Sequence, residues 1–248
     1  MYGQGVPLII LHGLFGSLDN WHSIAKTLAS DFTVLSIDLR NHGKSPHNKT
    51  FNYETLRDDV IRFMEENRVK SSHILGHSLG GKVAMNVALS SPEKLEKLVV
   101  VDIAPKMYKA GHEAIFEALR TINLSNFFER KEVEDKLLSF VPDLRTRQFL
   151  MKGLIRNEMG KPVWKFNIES LAENYLNILK SINSEHPFQK ESLFIAGSDS
   201  EYLIQNDMRE IEKLFPKASF KSIENAGHWV HADRPGEFLK TVKSFLLD

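Results

Sequence analysis

Gly76-His77-Ser78-Leu79-Gly80-Gly81 sets a Gly-x-Ser-x-Gly pentapeptide between a short apolar run, Ser72 to Leu75, and a helical stretch, Leu79 to Leu89. Between a strand and a helix this pattern is a nucleophile elbow, a turn so sharp that the serine sits on strained backbone with its Oγ exposed. Glycine at 76 and 80 removes side chains that would collide in that turn. Ser78 is therefore the candidate nucleophile. A hydroxyl needs a base to take its proton, and a base working near neutral pH is expected to be a histidine. His228, in Asn225-Ala226-Gly227-His228-Trp229, comes straight after the last strand-like run and is the candidate base. His231, three residues on, reads as a packing residue, and His73 and His77 beside the elbow read as structural. An acid must hold the imidazole's tautomer. Two aspartates qualify: Asp199, after the run Leu193 to Ala196, and Asp102, near the end of Leu98 to Ile103. Spacing favours Asp199 slightly, although Gly197-Ser198-Asp199-Ser200 also reads as a simple turn. An oxyanion needs two preorganised N–H donors. They are expected from the backbone of Leu79 and from the loop His12-Gly13-Leu14-Phe15-Gly16, at Leu14 or alternatively at Phe15.

The elements that must carry these residues follow from the apolar periodicity. Leu8 to Leu11, Phe32 to Ile37, His73 to Leu75 and Leu98 to Ile103 are continuous apolar runs, as in strands buried on both faces. Helical spacing separates them at Asp19 to Leu28, Tyr53 to Glu66 and Leu79 to Leu89. This alternation predicts an α/β fold with a mostly parallel, doubly wound sheet. From Pro105 to about Lys190 no strand is evident. Helical pieces are expected there at His112 to Thr121, Lys131 to Phe140, Leu144 to Ile155 and Ile168 to Ile182. Strand and helix then resume at Ser192 to Ala196, Leu203 to Phe215, Ala218 to Ile223 and Gly236 to Leu247. The helical insert is too long for one crossover. It is read as a cap, residues 105–190, inserted between two sheet strands of a core formed by 1–104 and 191–248. Ligands of open α/β sheets bind at the strands' C-terminal edge, so the cap would cover the site. Phe15, Trp164 and Trp229 are the candidate pocket-lining residues, with core packing as the plainer reading for the two tryptophans.

Composition bounds the alternatives. The 248 residues carry 32 Lys and Arg against 32 Asp and Glu, with no basic run. That argues against nucleic-acid partners and against electrostatic capture by anionic lipid. Cysteine is absent, which excludes disulfides, thiolate catalysis and cysteine-held metals. No apolar run approaches the ~18 residues of a membrane span, and Met1 to Pro7 does not read as a secretory leader. The expected compartment is the cytoplasm.

Taken together, these residues resemble the α/β-hydrolase superfamily. His12-Gly13-Leu14-Phe15-Gly16-Ser17, Arg40-Asn41-His42-Gly43, Asp102-Ile103-Ala104-Pro105, Trp164-Lys165-Phe166-Asn167 and Gly227-His228-Trp229-Val230-His231-Ala232-Asp233 are similar to one branch, the YbfF-type esterases and abhydrolase-domain-11 proteins. The resemblance shifts the acid from Asp199 to Asp102. It implies a serine carboxylesterase acting through an acyl-enzyme, extending to acyl-CoA thioesters, on a small-molecule substrate and with no cofactor or metal. Members of the branch carry a β-hairpin before the segment matching Tyr2-Gly3-Gln4-Gly5-Val6-Pro7, so two edge strands are expected to be missing here. A C–C bond hydrolase, a perhydrolase or a lyase would use the same triad. A non-catalytic ligand-binding protein of the same fold is the alternative from another class. The sequence leaves the oligomeric state open.

Overall fold

The computed structural model describes residues 1–127 and 129–248. Strand and helix alternate through the first hundred residues: β1 (Val6–Leu11), α1 (His22–Leu28), β2 (Phe32–Ile37), α2 (Tyr53–Glu66), β3 (Ser72–His77), α3 (Leu79–Ser90) and β4 (Leu95–Val101). An insertion follows, with α4 (Glu113–Thr121), α5 (Arg130–Leu138), α6 (Leu144–Lys152), β5 (Leu154–Arg156), β6 (Pro162–Trp164), α7 (Ile168–Glu173) and α8 (Tyr175–Leu179). The alternation resumes with β7 (Ser192–Gly197), α9 (Met208–Leu214), β8 (Ala218–Ile223), α10 (Val230–Asp233) and α11 (Pro235–Leu247). The main sheet has the order β2-β1-β3-β4-β7-β8, and every neighbouring pair in it is parallel.

Successive strand residues point to opposite faces, and the core divides accordingly. Leu8, Ile10, Val99 and Val101 pack with Trp21, Ile24 and Leu28 near α1 and with Phe238 and Val242 of α11. Ile9, Leu11, Leu98 and Val100 pack on the other face with Leu56 and Val60 of α2 and with Val83 and Val87 of α3. Both faces are covered, which explains why the strands read as unbroken apolar runs. Among the described residues no helix is long and apolar enough to cross a membrane.

The insertion is not wholly helical. The helix expected over Leu144 to Ile155 stops at Lys152, and Leu154–Arg156 pairs with Pro162–Trp164 as an antiparallel hairpin. Gly153 lets the chain turn there, since a Cβ would come within 2.6 Å of the Phe166 ring. The hairpin closes on Asn157, whose side-chain oxygen accepts the N–H groups of Met159 and Lys161, and on Gly160 at φ +73°. The helix expected over Ile168 to Ile182 is broken at Asn174, whose amide is drawn to the carbonyls of Lys49 and Ser170. Backbone bonds dock the insertion on the core: Gly43 N–H donates to Lys165 O (2.6 Å) and Asn167 N–H to Asn41 O (2.8 Å).

Strand register then decides what meets at one edge. Leu11 lies beside Gly76, and His77 beside Val101. Val101 lies beside Ile195, and Gly197 beside Ile223. The loops beginning at His12, Ser78, Asp102, Ser198 and Glu224 therefore all leave the C-terminal edge of the sheet, where open α/β sheets bind ligands.

Candidate active site

Ser78 joins β3 to α3 at φ 52°, ψ −118°, a left-handed conformation that a serine holds only when its surroundings over-determine it. Its N–H donates to Val101 O (3.0 Å). A Cβ on Gly76 would lie 2.2 Å from Gly80 O, and one on Gly80 would lie 2.4 Å from Leu11 O. The close packing of α3 on the strands thus excludes any side chain at either position.

His228 Nδ1 lies 2.7 Å from Asp102 Oδ2. A carboxylate only accepts, so Nδ1 carries the proton and Nε2 is left with its lone pair. Asp102 is fully buried and also sits at positive φ, 52°. Its carboxylate accepts two further bonds, from Gly197 N–H (3.1 Å) and from the Ser200 hydroxyl. The Tyr202 ring stacks on the imidazole at 4.0 Å, and His77 Nε2 bonds the His228 carbonyl (2.8 Å). Asp199 lies elsewhere. It is exposed, its N–H donates to Ala226 O, and its carboxylate accepts from the Ser198 hydroxyl (2.9 Å). The structure joins Asp102, and not Asp199, to His228.

Two buried histidines shape the loop after β1. Leu39 N–H donates to His12 Nε2 (3.0 Å), so His12 donates from Nδ1 to Gly13 O (2.8 Å). Phe15 N–H likewise donates to His42 Nε2 (3.2 Å), and His42 Nδ1 donates to Arg40 O (3.0 Å). Both rings work as neutral donor–acceptors. Burial lowers the pKa of each. The Phe15 amide, expected as the alternative oxyanion donor, is thus already engaged by His42. A Cβ at Gly13 would lie 3.3 Å from Ser78 Cβ, so the loop abuts the elbow. Leu14 and Leu79 line a cavity together with Ser78, and Leu79 opens α3, where the helix dipole favours negative charge.

The cleft has two lobes, and Ser78, Leu14 and Tyr202 line both. One lobe, about 280 Å³, is walled by Phe15, Phe149, Leu150, Trp229 and His228. The other, about 270 Å³, runs past Leu79 toward Tyr53, Lys82 and Tyr108. Trp229 packs against Phe149, with ring centroids 5.1 Å apart. Trp164 lines neither lobe. It stacks on Phe166 at 5.6 Å in the insertion's own packing, so its expected place in the pocket is corrected. Lys82, Ser200 and Tyr202 escaped the sequence reading. Only Lys82 had left a signal, as a lone charge in the apolar α3.

His231 stacks on Trp21 at 4.0 Å. Burial foremost, then the neighbouring His228, lowers its pKa to about 3, and burial lowers that of His112 to about 4. Unfolded imidazoles titrate near 6.5. Between these values the unfolded chain binds more protons, so stability is complete above pH 6.5 and falls with pH below it. At pH 5 each such histidine should cost about 2 kcal/mol. Urea midpoints at pH 7.5 and 5.0 check this. The acid loss should shrink in His231→Phe, and equal midpoints at the two pH values would contradict it.

The chain matches the family described as alpha/beta hydrolase fold over residues 6–235. It is 38% identical over 252 residues to the sn-1-specific diacylglycerol lipase ABHD11 of Danio rerio, covering 98% of this chain and 79% of that protein. It is 32% identical over 246 residues to Esterase YbfF of Escherichia coli, covering 98% and 93%. Among solved structures, a marine microorganism esterase superposes with a TM-score of 0.95 at 40% identity, covering 98% of this chain and 97% of that one. With a parallel six-stranded sheet, a serine elbow at its C-terminal edge and relatives that are esterases and lipases, this chain belongs to the alpha/beta-hydrolase family, in the branch of YbfF and ABHD11.

Proposed function

We propose that this protein is a serine carboxylesterase with Ser78 as nucleophile, His228 as base and Asp102 as the acid that orients it. The observation that carries the reading is the 2.7 Å His228 Nδ1–Asp102 Oδ2 bond, together with Ser78 and His228 lining one cavity. Ser78 Oγ attacks the ester carbonyl as His228 Nε2 takes its proton. The Leu79 and Leu14 amides hold the developing oxyanion. The intermediate collapses, His228 protonates the leaving alcohol, and an acyl-serine remains. Water then attacks the acyl carbon while His228 takes one of its protons, and the acid leaves as that proton returns to Ser78 Oγ. Thioesters follow the same path with a thiol as leaving group. Residues 105–190 act as a cap over the cleft, and Phe15 and Trp229 supply apolar walls.

The test is direct. A fluorophosphonate probe should label the protein stoichiometrically, and mass spectrometry should place the adduct on Ser78. Nitrophenyl esters should be turned over, whereas a β-diketone should not. An unlabelled folded protein, or an adduct on another residue, ends the reading.

A further inference from the structure

Lys82 lies one helical turn after Ser78 on α3, and its N–H donates to Ser78 O (3.1 Å). The side chain is 1% exposed. Its Nζ donates to the carbonyls of Lys106 (2.8 Å) and Lys180 (2.6 Å) and lies 4.8 Å from the centre of the Tyr108 ring. The adjacent carboxylate, Asp207, is paired with Lys106, and no ion pair to Lys82 is found among the described residues. An ammonium has three donors, and two are used on carbonyls; the charge is met only by the faces of the Tyr108 and Tyr53 rings, the latter at 5.6 Å, and the residue lines the cavity. Burying a charge without a counter-ion is costly. Burial first, then the Lys106 charge, lowers the Lys82 pKa to about 7. Holding two carbonyls needs no charge at all, because a neutral amine or an amide would do it.

We infer that Lys82 is the recognition point for an anionic group on the substrate's acyl chain, so that the favoured substrates are half-esters or half-thioesters of short dicarboxylic acids. The inference rests on the esterase reading above. The lobe is assigned by that chemistry: His228 protonates the leaving group and lines only the Phe149–Trp229 lobe, so the lobe beyond Leu79 is left for the acyl chain. A carboxylate there would supply the missing counter-ion and take the third N–H as a charge-assisted bond. The lobe's other charged side chains, Lys109 and Glu201, are exposed at its rim.

The experiment compares mono-nitrophenyl glutarate with its neutral isostere, nitrophenyl methylhexanoate, in which an isopropyl group replaces the carboxylate. Spontaneous hydrolysis is subtracted. Wild-type kcat/KM should favour the half-ester by about ten- to a hundredfold, the worth of one hydrogen bond to a charged group. That ratio should fall at least tenfold in Lys82→Met. Lys82→Gln, which keeps two N–H bonds on a neutral head, should lose it as well and serves if the first variant does not fold. If neither folds, the wild-type preference decides. A wild-type protein that turns over the neutral ester with no preference for the half-ester overturns this inference and leaves the esterase reading standing. Turnover of neither ester sinks the esterase reading itself. Variants that slow both esters equally would make Lys82 a structural tie and overturn the proposal.

Discussion

Alanine at position 78 is expected to lower kcat by about 10⁴- to 10⁶-fold without unfolding the protein. The substitution removes the only atom that can form the acyl-enzyme, while the oxyanion donors and both lobes remain. The fold should tolerate it. Alanine carries the same Cβ as serine at φ 52°, and the N–H bond to Val101 O is made by the backbone. Melting temperatures should therefore agree within a few degrees, while single-turnover kinetics with a nitrophenyl ester collapse. A folded Ser78→Ala protein within tenfold of wild type would remove the nucleophile from the mechanism.

The second large effect separates the two aspartates. Asp102→Asn should cost about 10³- to 10⁴-fold in kcat, whereas Asp199→Asn should change it less than about twofold, in line with an exposed surface site. The contacts explain the severity. Both oxygens of Asp102 already accept bonds, one from Gly197 N–H and the other from Ser200 and His228. An amide placed with its nitrogen toward Gly197 sets donor against donor and orphans a buried N–H. Turned the other way, it presents N–H to His228 Nδ1 and forces the ring proton onto Nε2, which removes the base. Either orientation is costly. Parallel kcat/KM measurements of the two variants would reverse the assignment if only Asp199→Asn lost activity.

The sheet was legible because its central strands are buried on both faces and read as apolar runs, and because the glycines of the elbow answer to close backbone contacts. The insertion was less so. Leu144 to Lys152 has helical periodicity, and Leu154-Ile155 extends it in apolar character, so nothing in the hydrophobic pattern announces that the chain turns into a strand. The stop lies in Gly153 against Phe166 and in the turn at Asn157 and Gly160, a tertiary contact and a local one. The acid was ambiguous for a related reason. Spacing leans slightly to the aspartate after β7, while the choice depends on strand register and on which carboxylate is buried. Trp164 misled because a large aromatic in an insertion over a cleft can serve either the cleft or the insertion's own packing, and here it serves the latter. Lys82 went unread because a lysine on a helix is ordinarily solvated, even where the helix around it is apolar. The chain's return at Lys106 and Lys180, with the Tyr53 and Tyr108 rings, covers it.

Four of the loops at the sheet's C-terminal edge bring Ser78, Asp102, His228 and the Leu14 and Leu79 amides from outside residues 105–190, whereas Ile115, Thr146, Phe149 and Leu150 reach the cleft from within them. The proposed reacting groups are therefore all encoded outside the insertion, whereas the walls of the cleft draw on both stretches of the gene. Changes confined to α4 to α8 would reshape one wall of the cleft and leave Ser78, Lys82, Asp102 and His228 where they are.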